Sequence, residues 1–309
     1  MTNPRSAMDV GDSAEIPVAA SPKSSITDLQ QETIKREGHN AVKQAKETTL
    51  DWPRKVDLFG IGVSVTDYDS AANIIVRKGN ADQGGIVSCH AAHAIVTFSD
   101  NAEMKKIANS FAMITPDGQP VRWAMNWLQK TRLSERVYGP ELMLRVCEKA
   151  ATNSTPIFLY GGTSESVQLL KENLELKYPN LHIAGIHSPP FRKLSEDELA
   201  ADIKMINESN AKILFIGLGC PKQDLFAHSI RKLVNPVQIC VGAAFDFHSG
   251  QLTMAPSWIQ RSGLEWLFRL TKDPRRLWKR YLVTNSKFLW RLTKATFSRR
   301  QNLDDQTSE

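Results

Sequence analysis

A chain of 309 residues with 41% hydrophobic content buries one sizeable core, with or without an appendage, and is too long for a minimal module. Its +6 net charge is uneven: from Arg261 to Arg300 twelve lysines and arginines stand against Glu265 and Asp273, a local +10 that leaves the rest at −4, so an anionic partner is met by the C-terminal end. The four cysteines form no CxxC pair, the first ten residues lack the apolar core of a signal peptide, and no apolar run nears the roughly 18–20 residues that cross a bilayer, which predicts a reducing cytoplasm and no membrane span.

Residues 1–50 are polar, lack aromatics and show no apolar period, so they are expected to be a disordered leader. A core is expected over 51–255. There the β-branched runs Val56–Val63, Ile86–Cys89, Ile157–Tyr160, Ile183–Ile186, Ile213–Gly217 and Gln238–Val241 alternate with helical stretches, the pattern of an α/β, doubly wound, mainly parallel sheet flanked by helices. Asp67-Tyr68-Asp69 follows the first run with a spacing that can hold Mn²⁺ or Mg²⁺ at a diphosphate. Ser70–Val76 reads as a helix, however, and Asp67 suits its cap. Helices are also expected over Ser164–Lys177 and Ser195–Asn207, the second opened by a capping box of Ser195 and Glu198.

In an open α/β sheet, ligands bind beyond the carboxyl ends of the strands. After Phe111–Ile114 comes Thr115-Pro116-Asp117-Gly118, where Asp117 has the chemistry of a general base or of a turn residue. Tyr160-Gly161-Gly162-Thr163-Ser164 can rest a phosphate on helix N-terminal N–H groups, or can use its glycines for steric reasons alone. Gly217–Asp224 places Pro221 as first helical residue and Lys222 and Gln223 at a strand exit, fit for a phosphate or sugar hydroxyl or for a solvated first turn. Gly242–Phe247 sets the aromatic Phe245 beside the carboxylate Asp246, or is a small-residue turn with core phenylalanines. His90 and His93 form no zinc pattern, and no Walker loop or nucleophile elbow occurs.

After Pro256 the chain changes again, with four of the seven tryptophans (Trp258, Trp266, Trp278, Trp290) beside the basic cluster. Residues 256–295 are expected to be a basic, amphipathic helical C-terminal appendage broken at Pro274, and 296–309 a disordered tail. Apolar residues at 277, 278, 281, 282, 288, 289 and 292 form a helical stripe suited to a membrane surface or to a subunit contact in a homo-oligomer.

In order along the chain, Thr115–Gly118, Val137-Tyr138-Gly139-Pro140, Phe158–Gly162, Ser188-Pro189-Pro190-Phe191, Gly219–Asp224 and Gly263-Leu264-Glu265-Trp266-Leu267-Phe268-Arg269-Leu270 resemble the WecG/TagA/CpsF glycosyltransferase family over residues of about 56 to 292. The resemblance implies metal-independent, inverting transfer from a UDP-sugar to an undecaprenyl-diphosphate-linked saccharide, by a peripheral protein on the cytoplasmic membrane face. The sugar it implies is N-acetylmannosamine, its uronic acid, glucose or glucuronic acid. It makes Asp117 the base and sets Ser88 and His90 at positions where the family has Thr and Asn; Asp224 stands where Glu is more usual. Gln223 matches the family's glutamine, and Arg269, Arg276, Lys279 and Arg280 fall where appendage cations reach the lipid diphosphate. Gly161, Gly162, Thr163, Lys222, Gln223, Phe245 and Asp246 make up the expected nucleotide-sugar site; no metal or other cofactor and no nucleic acid is expected. On the residues alone, two other readings stand: a nucleotide-binding oxidoreductase, against which the missing Gly-x-Gly-x-x-Gly counts, and a basic-tailed membrane or nucleic-acid binder.

Overall fold

A computed structural model describes residues 51–306, apart from the side chains at positions 276, 279, 280 and 300–306. The expected leader and residues 307–309 of the expected tail lie outside the described residues.

The run Val56–Val63, expected as one strand, is two: β1 (Lys55–Leu58) and β2 (Ile61–Ser64) pair antiparallel. Phe59 and Gly60 take φ of 60° and 88°, the two positive values of a tight turn whose twist suits a hairpin. Six strands then make a parallel sheet in the order β4-β3-β8-β7-β5-β6. They are β3 (Ile86–His90), β4 (Met113–Pro116), β5 (Ile157–Gly161), β6 (Ile183–His187), β7 (Ile213–Gly217) and β8 (Val237–Cys240). The helices are α1 (Tyr68–Asn80), α2 (Ala92–Ser99), α3 (Ala102–Asn109), α4 (Gln119–Gln129), α5 (Gly139–Thr152), α6 (Ser164–Lys177), α7 (Glu196–Glu208), α8 (Lys222–Ile230), α9 (Ala244–His248), α10 (Ser257–Ser262), α11 (Glu265–Lys272) and α12 (Pro274–Gln306).

Side chains alternate along each strand, so one sheet feeds two cores. Leu159, Phe215 and Ile239 pack under α1, α5, α6 and α9, whereas Phe158, Tyr160, Ile216 and Cys240 pack under α2, α4, α7, α8 and α12. Burial on both faces is why these strands read as continuous apolar runs.

The caps follow the residue chemistry. Asp67 Oδ1 accepts the Ser70 amide at 2.7 Å, which makes it the cap of α1, and Asp69 lies exposed, 3.7 Å from Lys149. Ser195 and Glu198 exchange both bonds of a capping box, as do Thr163 and Ser166. Pro221 caps α8 instead of opening it, because the helix begins at Lys222.

The appendage comprises α10, α11 and α12. Leu277, Tyr281 and Phe288 of α12 are buried and Leu292 packs against the core. The expected disordered tail is corrected over 296–306, where α12 continues. Thr296 accepts from Trp127 Nε1 at 3.0 Å, and Arg299 donates to the carbonyls of Trp127 and Leu128, so the basic end is held by the carboxyl terminus of α4. No described helix is long and apolar enough to cross a membrane.

Two glycines fix how β5 leaves the sheet. Gly161 has φ of +127°, and a Cβ there would sit 2.7 Å from the Gly217 carbonyl. Gly161→Ala is expected to cost at least about 1–3 kcal/mol through strain and backbone displacement; a thermal melt at the wild-type temperature would show that the turn relaxes freely.

Candidate active site

The chain leaves β3 toward α2 on one face of the sheet and leaves β8 toward α9 on the other, which opens a crevice at the strand ends. Asp117, one residue past β4, stands here. The segment before α5 is stitched alongside it: Val137 donates to the Pro116 carbonyl at 3.0 Å, Thr115 Oγ1 to the Val137 carbonyl at 3.1 Å, and the Gly139 amide to Asp117 Oδ2 at 3.2 Å. A Cβ on Gly139 would lie 3.1 Å from the Val241 carbonyl and 3.4 Å from Cys89 Cβ. Asp117 is thus held against the exits of both β3 and β8.

A partly buried ring of charge surrounds it. Arg136 pairs with Glu265 at 2.7 Å, donates to Gln260 Oε1 at 2.9 Å, and lies 4.3 Å over the ring of Tyr138. Arg269 stacks 5.2 Å over Phe247, and Tyr68 Oη accepts the Tyr138 amide at 3.0 Å. Burial raises the Asp117 carboxyl to about 6 from 3.8, with Glu265 adding to the rise and Arg136, the Gly139 N–H and Arg269 opposing it. Burial also pushes up the Tyr68 phenol and the Cys89 thiol, so at neutral pH both stay uncharged. The charges are then Asp117 and Glu265 against Arg136 and Arg269.

Of the residues expected at the catalytic centre, Asp117 stands in the crevice and Ser88 and His90 do not. Strand alternation points Cys89 at Gly139 and turns Ser88 and His90 to the other face, both fully buried. There Asp224 Oδ1 accepts from Ser88 Oγ at 2.5 Å and lies 3.1 Å from His90 Nε2. Ser88, His90 and Asp224 are therefore in contact with one another, and His90 is not placed to read a sugar.

The nucleotide-sugar residues divide. The glycine-turn amides, expected to hold a phosphate, are taken internally: Gly162 donates to the Gly217 carbonyl at 3.2 Å and Thr163 to Ser166 Oγ at 2.8 Å. Phe245 is 1% exposed and fills the space beside Gly217, where a Cβ would sit 2.6 Å from its ring, so it is core and not a stacking face. Asp246 is half-buried, its carbonyl accepting from Leu252. Gln223 Oε1 takes the amides of Gly219 at 3.2 Å and Gly242 at 2.9 Å, tying the exits of β7 and β8, and Lys222 is exposed beside it at the start of α8. Of the lipid-diphosphate cations, Arg269 reaches the crevice, whereas the side chains of Arg276, Lys279 and Arg280 lie outside the described residues. Among the described residues, no group of three or more His, Cys, Asp or Glu is placed to hold a metal.

The site residues missed from sequence are Arg136, Tyr138, Gly139, Glu265 and Tyr68. Tyr138, Gly139 and Glu265 lie within segments that carried the resemblance, Arg136 stands one residue before one of them, and Tyr68 was read only as the middle of Asp-Tyr-Asp.

The parallel sheet thus carries at its strand ends a carboxylate, Asp117, set among the cations Arg136 and Arg269. The family model described as Glycosyl transferase WecG/TagA/CpsF family matches residues 56–302, and the chain belongs to that family. It is a glycosyltransferase of cell-surface polysaccharide synthesis, with the nucleotide-sugar donor and lipid-linked acceptor that membership implies.

A carboxyl whose folded pKa is raised binds more protons folded than unfolded, so it withdraws stability as pH rises through about 4 to 6. Asp117→Asn removes that penalty. The variant should melt at or above the wild type beyond pH 6, the gap closing below about pH 4; a gap constant across this range would show that Asp117 is not a titrating buried acid.

Proposed function

We propose that this enzyme transfers N-acetylmannosamine, its uronic acid, glucose or glucuronic acid, with inversion, from a UDP-sugar to an undecaprenyl-diphosphate-linked saccharide at the cytoplasmic membrane face. The observation that carries the reading is Asp117, half-buried in the crevice with its carboxyl raised to about 6 between Arg136 and Arg269. Such a carboxylate is ionised at neutral pH yet basic enough to accept a proton. It takes the proton of the acceptor hydroxyl as the oxygen bonds to the anomeric carbon, and the carbon–oxygen bond to UDP breaks on the opposite side, leaving its electron pair on the β-phosphate. That charge is met by Arg269 and Arg136 at the crevice and by Lys222 at the amino terminus of α8. Metal-independent transfer is supported by Asp67 acting as a helix cap.

Membrane docking is supported by α12, but by a different face from the stripe at 277, 281, 288 and 292, which packs on the core. Trp278, Leu282, Leu289, Trp290 and Phe297 are each at least 54% exposed, with Arg275 and Lys294 exposed nearby and Lys294 lying 5.3 Å over the Trp290 ring. An apolar face flanked by cations lies in the plane of an anionic surface, each cation contributing about 1 kcal/mol.

Incubation with a panel of UDP-sugars and lipid-linked acceptors in EDTA is expected to give one productive pair, and Asp117→Asn should lower its kcat by roughly 10² to 10⁴. Loss of turnover in EDTA that Mn²⁺ or Mg²⁺ restores, or near-wild-type kcat in the variant, overturns the mechanism. Joint replacement Trp278→Ser, Leu282→Ser, Leu289→Ser and Trp290→Ser should leave UDP binding intact while abolishing sedimentation with phosphatidylglycerol vesicles. Undiminished sedimentation would assign that face elsewhere.

A further inference from the structure

The first turn of α8 does two things at once. Its second residue, Gln223, is 2% exposed and holds the Gly219 and Gly242 amides through Oε1. Its third, Asp224, is fully buried and places one oxygen between Ser88 Oγ at 2.5 Å and His90 Nε2 at 3.1 Å. Adjacent side chains of a single turn therefore tie together the exits of β7, β8 and β3. Ser88, His90 and Asp224 are each 0% exposed, and His90 Nδ1 and Asp224 Oδ2 have no hydrogen-bond partner. Phe98 and Phe111 close the space around the imidazole, with ring centroids at 4.9 and 6.4 Å.

A cluster that only filled the core would not require buried polar atoms left unpaired, since an apolar set of the same shape avoids that penalty. What the polar set adds is direction. A carboxylate held by two donors on neighbouring strand positions fixes the rotation and height of α8, and Gln223, the next residue, inherits both. Gly219 has φ of +78° and Gly242 of +58°, conformations open to glycine, and both amides point to the same acceptor, Gln223 Oε1.

We propose that Asp224 and His90 are positioning residues for the transfer reaction: their buried contact sets α8 so that Gln223 holds the Gly219 and Gly242 loops in the conformation that receives the donor. Size decides the contact. A glutamate at 224 carries one methylene more into a fully buried site and drives α8 away from β3. An asparagine at 90 frees the space of the ring while keeping a donor. Each single change misplaces the loops, and the two together restore them.

The proposal rests on the reading of these loops as the donor's anchor, and the experiment separates the two. Wild type, Asp224→Glu, His90→Asn and the double variant are compared by hydrogen exchange at the Gly219 and Gly242 amides and by calorimetric titration with UDP. Each single variant is expected to lose protection at both amides and to weaken UDP binding at least about fivefold, and the double variant to recover most of both, the non-additivity of side chains in contact. If UDP fails to bind the wild type, the donor reading falls, and the exchange arm still decides this proposal. If a single variant does not fold, Ser88→Ala takes its place, with lost protection at both amides supporting the proposal. Unchanged protection in any folded single variant, or a double variant no better than the worse single, overturns it.

Discussion

The ion pair between Arg136 and Glu265 is the contact on which the site depends, because one partner comes from the core and the other from the appendage. Their side chains are 9% and 12% exposed, and taking two such charges out of water costs several kcal/mol per ion unless geometry and further hydrogen bonds repay it. Gln260 of α10 supplies such a bond, and the Tyr138 ring backs the guanidinium. Without α10 and α11 in place, Arg136 would lose its carboxylate and its amide together. Docking of the appendage and assembly of the crevice are therefore one event.

The same economy governs α12. A helix with an apolar arc wide enough for two purposes divides it, spending Leu277, Tyr281 and Phe288 on the core and leaving Trp278, Leu282 and Leu289 outside. Polar clasps fix which half faces in: Asp100, at the end of α2, takes both Lys287 and Arg291, and the end of α4 takes Arg299. The like-sign charge that drew attention to this segment thus has two roles, since part of it is neutralised against the core and only the remainder is free to meet an anionic surface.

Much of this was legible in the sequence, for identifiable reasons. Parallel strands buried on both faces leave apolar runs, and Asp67 and Ser195 announce helix starts because capping is a local exchange of bonds. What was lost turned on a single residue of phase or on a partner distant in sequence. The hairpin inside Val56–Val63 hides because Phe59 takes a conformation its type rarely adopts. Ser88 and His90 were placed at the centre although alternation gives that face to Cys89. Likewise, an apolar stripe shows that a helix is two-faced without showing which face finds the core, and Tyr160–Ser164 shows a glycine turn without showing that Gly217 has claimed its amide.

The charge balance at Asp117 explains why the appendage has to reach so far into the crevice. Burial raises the carboxyl, disfavouring the ionised form that accepts a proton, whereas bare arginines lower it and make the carboxylate a weaker base. At about 6 the carboxyl lies between those limits, with Glu265 beside Arg136 blunting that cation and Arg269 offsetting the burial. Of the four influences that act on Asp117 besides burial, Glu265 and Arg269 come from the appendage and Arg136 is paired by it. Glu265 and Arg269 of α11 thus enter the charge balance at Asp117 from outside the sheet, the first through its pair with Arg136 and the second directly, so the appendage residues that tune the carboxylate belong to one helix.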